Sequence, residues 1–148
     1  MPRLCQEFEA IPVSAGICQP LLLADEVAAG FPSPAQDYQE GTIDLNRELV
    51  TRPESTFCVR ARGDSMVEDD VTDGDVLVVD RSITPYDGCM AVCLLDGGFT
   101  VKRFFRRDDH VELHPANSRF QVIRITREQS FEVWGVVTWV LHRKHGRG

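Results

Sequence analysis

Met90-Ala91-Val92-Cys93-Leu94-Leu95-Asp96-Gly97-Gly98-Phe99-Thr100-Val101-Lys102-Arg103-Phe104-Phe105 is the stretch on which the fold turns. Two β-branched or alternating runs flank Asp96-Gly97-Gly98. A short Asp-Gly break between such runs signals a hairpin, because glycine reaches the positive φ that a tight turn between twisted strands demands. Period two along the second arm sets Thr100, Lys102 and Phe104 on one face and Phe99, Val101, Arg103 and Phe105 on the other. Working outward, similar runs recur at Phe57–Ala61, Val76–Val79, His110–His114, Gln121–Ile125 and Phe131–Leu141. Thr72-Asp73-Gly74-Asp75 and Thr84-Pro85-Tyr86-Asp87-Gly88 punctuate them as turns. Many short strands at this spacing predict a mostly β, compact antiparallel fold, with one short helix after Ser65. Residues 1–45 lack that pattern and read as a flexible N-terminal arm, in which Ile17–Ala24 is an apolar patch able to lie on a groove. Residues 46–148 read as the β domain.

A chain of 148 residues with 43% apolar content can bury one real core and no second one. The net charge of −7 argues against sequence-independent nucleic-acid binding, which needs clustered Lys and Arg to neutralise phosphates. Of the five cysteines, Cys5 and Cys18 lie in the arm and Cys58, Cys89 and Cys93 in apolar runs. There is no CxxC pair, so they read as reduced thiols of a cytoplasmic protein. Val27-Ala28-Ala29 imitates a secretory cleavage site, but Glu7 and Glu9 stand where a signal peptide is basic. Gln19-Pro20 and Asp25-Glu26 also interrupt the apolar run. No run is long enough to span a membrane.

The chemistry concentrates in two places. Ser65 sits in Ala61-Arg62-Gly63-Asp64-Ser65-Met66 between strand-like runs, and Lys102 follows 37 positions later on a partly apolar strand face. Desolvation disfavours an ammonium, so a lysine drawn into such a face has its pKa lowered and can take the proton of a serine hydroxyl. Thr100, on the same face, can hold the amine through its hydroxyl. Gly63 lets the backbone turn tightly enough for the Ser65 N–H to face an oxyanion. Upstream, Ala29-Gly30 is a small-residue peptide bond in the Pro-rich segment Phe31-Pro32-Ser33-Pro34, a bond that a narrow cleft could accept. Ser65 as nucleophile and Lys102 as base would cut it through an acyl-enzyme.

Further segments extend the pattern: Ala35-Gln36-Asp37-Tyr38, Ile43-Asp44-Leu45-Asn46, Asp73-Gly74-Asp75 and Pro115-Ala116-Asn117-Ser118. Together with Ala29-Gly30, Gly63-Asp64-Ser65-Met66 and Phe99-Thr100-Val101-Lys102, they resemble, in order and spacing, the LexA/UmuD family of self-cleaving SOS-response proteins. The likeness runs along nearly the whole chain and leans to the UmuD branch, although Ala29 stands before the bond as in LexA rather than the Cys of UmuD. The resemblance implies the LexA C-terminal/UmuD fold, the Asp64 N–H as a second oxyanion donor, and Thr100 as support for the lysine. It implies a homodimer, cleavage stimulated by a RecA filament on single-stranded DNA, and a processed form that serves an error-prone Y-family DNA polymerase in translesion synthesis. No cofactor and no metal are expected. LexA-type repressors carry a helix-turn-helix ahead of the bond. Only residues 1–29 precede it here, with Pro2, Pro12 and Pro20 among them, so direct operator binding is not expected. Two other readings are a non-catalytic polymerase or RecA interaction module, and a Ser/Lys protease acting on other proteins.

Three further features have ordinary explanations. Arg62-Gly63-Asp64-Ser65 spells an adhesion tetrapeptide, a coincidence in a chain with no export signal. His110, Glu112 and His114 alternate as a solvated strand face does, with Asp108 and Asp109 nearby, and a metal site there is the less favoured reading. His142 and His145 are expected to fray with the basic tail. Trp134 and Trp139 stand an odd spacing apart, which leaves one of them outside the core as a mark of a dimer or partner surface.

Overall fold

The Asp96-Gly97 pair closes the central hairpin with φ of 48° and 84°, and Leu95 stands opposite Gly98. Both loop residues are left-handed, the geometry whose twist matches the flanking strands. The computed structural model describes residues 10–12, 21–23 and 41–146. Its strands are β1 (Ala10–Pro12), β2 (Leu21–Leu23), β3 (Gly41–Ile43), β4 (Thr56–Arg60), β5 (Val76–Asp80), β6 (Met90–Leu95), β7 (Gly98–Arg106), β8 (Val111–His114), β9 (Ile123–Ile125) and β10 (Phe131–Leu141). One short helix, α1, spans Leu45–Leu49. The mostly antiparallel β fold read from the sequence is the fold observed.

The described residues fall into two compact units, one drawn from Met1–Val13 and Arg52–Gly148, the other from Ser14–Thr51. In the smaller unit β2 pairs antiparallel with β3, and Asp44 caps α1 by accepting from the amides of Asn46 and Arg47. That cap satisfies amides that the first helical turn leaves without partners. The Ala29-Gly30 bond lies outside the described residues. In place of the helix expected after Ser65 there is a single 3-10 turn, Val67–Asp69, ended by Asp70 at φ 61°. Asp69 and Asp70 both close i→i−3 bonds there, and the left-handed Asp70 stops further winding.

The larger unit is one eight-stranded sheet in the order β1-β4-β5-β10-β6-β7-β8-β9, every pairing antiparallel. Alternation along β6 sends Met90 and Val92 into one core cluster, with Val59, Leu77, Val79 and Val101. Ala91, Cys93 and Leu95 enter a second, with Phe104, Leu113, Ile125 and Val136. β6 is therefore buried on both faces, which explains its nearly unbroken apolar run. β10 slips register at Trp134 against β6 and at Thr138 against β5. Trp134 packs between Phe57 and Phe99 under the Arg81 guanidinium, whereas Trp139 is 44% exposed. Asp80, at the end of β5, is buried and accepts from Ser82, Ser55 and Arg52. Burial alone would raise its pKa, but the Ser82 hydroxyl and amide, Ser55 and Arg52 together hold it below the ordinary carboxylate range.

Candidate active site

β7 places Thr100 and Lys102 two residues apart on one face, opposite Cys93 and Ala91 of β6. Thr100 is wholly buried and Lys102 is 6% exposed. Small Ala91 leaves room for a long stem beside it, and a buried ammonium or amine needs partners for its polar end. Lys102 Nζ finds Thr100 Oγ1 at 2.6 Å, the Val101 carbonyl at 3.0 Å and Ser65 Oγ at 3.1 Å. A neutral amine has two N–H groups and one lone pair. The carbonyl can only accept and Thr100 can accept as well, and the lone pair of a neutral amine can accept from the Ser65 hydroxyl. That arrangement can draw a proton from Oγ.

Ser65 is half-buried at the end of a turn built from both sides. On the near side, Gly63 adopts φ 90° and its amide donates to Asp73 Oδ1 at 2.8 Å. The Asp73-Gly74 turn is in turn stitched to Ala61, with Gly74 N to Ala61 O at 2.7 Å and Ala61 N to Asp75 O at 2.8 Å. On the far side, Met66 is buried in the first core cluster. Arg103, the neighbour of Lys102, ion-pairs with Asp69 and donates to the Gly88 carbonyl. The Ser65 turn is therefore tied to the strand that carries Lys102. Among the described residues, the amides of Asp64 and Ser65 donate to no protein partner.

Sequence reasoning quoted Asn117 within a motif but assigned it no role. Its side chain is buried, with Nδ2 donating to the Asp64 carbonyl at 2.7 Å. The loop around it docks on the same turn: Glu68 N donates to Ala116 O at 2.7 Å and Ser118 N to Glu68 Oε1 at 3.1 Å. A contact across fifty residues of sequence leaves no local pattern. The other polar cluster is different in kind. His110 and His114 are bonded to Glu112 through their Nε2 atoms at 2.8 and 2.9 Å, and His110 Nδ1 to Asp109 at 2.6 Å. His114 and His110 hold the Glu112 carboxyl down at about 2, and Asp109 and Glu112 raise His110. The ring nitrogens are turned to carboxylates within a half-exposed network, and among the described residues no group of three side chains is arranged to hold a metal ion. His142 departs from expectation. Instead of fraying, its Nδ1 meets the buried Asp75 carboxylate at 2.7 Å. His145 is exposed. Among the described residues Cys58, Cys89 and Cys93 are free thiols, and burial pushes Cys93 up to about 12. No helix among the described residues is long and apolar enough to cross a membrane.

Residues 20–138 match the model of the Peptidase S24-like family. The chain is 43% identical to Protein ImpA of Salmonella typhimurium over 122 residues, 82% of this chain and 83% of that one. It is 43% identical to Protein MucA of Escherichia coli over 113 residues, 76% of this chain and 77% of the other. The LexA repressor of Syntrophotalea carbinolica is 42% identical over 121 residues, 82% of this chain and 59% of the repressor.

Proposed function

Because the chain belongs to the Peptidase S24-like family, we propose that Ser65 and Lys102 form a proteolytic dyad that cuts the chain's own Ala29-Gly30 bond. The observation that carries this reading is the 3.1 Å contact between Ser65 Oγ and a buried lysine whose other polar contacts include Thr100 and a backbone carbonyl. Neutral Lys102 takes the Ser65 proton as Oγ attacks the Ala29 carbonyl carbon. The oxyanion is held by the N–H groups of Ser65 and Asp64. Collapse of the tetrahedral intermediate breaks the C–N bond, and the Lys102 ammonium returns its proton to the departing Gly30 amine. Water then attacks the Ser65 ester, again with Lys102 as base, and frees an acid ending at Ala29.

The family and its motif order support a role in SOS mutagenesis. In this reading the 30–148 product is a cytoplasmic homodimer that serves as accessory subunit of an error-prone Y-family polymerase. A RecA filament on single-stranded DNA stimulates cleavage by holding the bond in the cleft, so that attack becomes effectively unimolecular. The test is intact mass of the purified protein after incubation at alkaline pH. A fragment beginning at Gly30 in wild type and none in Ser65→Ala is expected. Loss of the same fragment's appearance in wild type, with and without RecA filaments, would end the reading.

A further inference from the structure

We propose that Asn117 is a positioning residue that aims the Ser65 N–H at the oxyanion. This rests on the reading of Ser65 as nucleophile and adds to it a part the dyad does not supply. Among the described residues every peptide bond is trans, so the Asp64 carbonyl and the Ser65 N–H, which share one peptide plane, point in opposite directions. Whatever fixes that carbonyl therefore fixes the N–H. Among the described residues the carbonyl accepts from Asn117 Nδ2 at 2.7 Å and from the Val67 amide at 3.2 Å. The Val67 bond is internal to the turn and moves with it. Asn117 reaches in from another part of the chain and gives the plane an outside reference.

Asn117 is itself held. It is 6% exposed, and its Oδ1 accepts from the Arg119 amide at 2.9 Å, which orients the amide group with Nδ2 toward Asp64. Its loop is clamped to the turn by the Ala116 carbonyl, which takes the Glu68 amide, and by the Ala116 amide, which meets Met66 Sδ at 3.3 Å. A rigid side chain thus grips one end of a peptide whose other end is unengaged among the described residues. An oxyanion donor works only if it is oriented before the reaction, since turning it during the reaction costs part of what it contributes.

The experiment is the self-cleavage rate of the full-length protein against pH for wild type, Asn117→Ala and the near-isosteric Asn117→Leu, each checked by cooperative melting. Oxyanion alignment sets the limiting rate and Lys102 sets the pH midpoint. Both variants should therefore lose about 10- to 100-fold of the plateau rate with the midpoint unchanged. Plateaus within twofold of wild type would overturn the proposal. A displaced midpoint with the plateau kept would also overturn it, by showing that Asn117 acts through the lysine. Failure of both variants to melt cooperatively would assign Asn117 to the fold rather than to alignment. If wild type fails to cleave, or Ser65→Ala still cleaves, it is the dyad that is wrong.

Discussion

In the proposed dyad, Lys102 is the residue on whose environment the chemistry of Ser65 depends. Its stem is buried and its Nζ donates to Thr100 Oγ1 and the Val101 carbonyl, which help position the amine. Only the unprotonated amine can act as base, however. Cleavage of the isolated protein should therefore accelerate as pH rises, following a single titration. A flat profile, with the fold intact across the range, would remove Lys102 from the base's role. Lys102→Ala should abolish cleavage and leave a folded chain. Thr100→Val keeps the shape of a wholly buried side chain but removes the hydroxyl 2.6 Å from Nζ. A fall of about tenfold in rate is expected, within the range that one misaligned contact costs, and mass spectrometry over a time course measures it.

Strand β10 shows how an element is shaped by its neighbours. A Cβ at Gly135 would stand 2.5 Å from Val79 Cγ1, a side chain with no exposure and no room to move. Gly135→Ala should therefore cost about 1–3 kcal/mol in urea unfolding. The Val79→Ala change should cost less in that background than in wild type, because the two share one space. A strictly additive pair would mean that the strain is relieved elsewhere. The two ends of β5 give a pH prediction. Asp80 and Asp75 are both buried carboxylates held below their ordinary pKa, Asp80 by the bonds already described. For Asp75 burial raises the value and the Thr72 amide, His142 and the Thr72 hydroxyl more than offset it. Groups of this sign stabilise fully above the unfolded carboxylate value of about 3.9 and lose that contribution as pH falls through the folded value. Melting temperature should hold near neutrality and drop below about pH 4. Asp80→Asn, which cannot accept from Ser82 in the same way, should cost about 1–3 kcal/mol at pH 7 and flatten the acid limb.

For the whole molecule, the proposed self-cleavage needs a β scaffold that carries the chemistry and an arm that carries the bond. Small side chains at Ala28 and Ala29, and Gly30, are what a narrow cleft and close backbone approach require. Gly30→Glu or Ala29→Trp should block processing while leaving the scaffold's melting curve unchanged, as gel analysis and calorimetry would show. Normal cleavage of both variants would move the bond elsewhere. A homodimer should sediment at about twice the mass of its own chain both before processing, when that chain is 16.7 kDa, and after it, when each chain is lighter by residues 1–29.

The local pattern of residues determined the elements. Period two, β-branched runs and the Asp96-Gly97 turn specify strands and a hairpin because the physics involved, side-chain alternation and the cost of positive φ, acts within a few residues. Motif order and the family resemblance put Ser65 and Lys102 forward together, and the fold sets Lys102 Nζ 3.1 Å from Ser65 Oγ. What no local rule contains is how distant segments meet. Asn117 on the Asp64 carbonyl, Arg103 on Asp69 and His142 on Asp75 each join segments at least 34 residues apart. The same holds for the 3-10 turn in place of a helix after Ser65, since the first core draws in Met66 and the Ala116 carbonyl takes the Glu68 amide. Such contacts form only when the sheet has brought its strands together, and their energies depend on burial that sequence spacing does not encode.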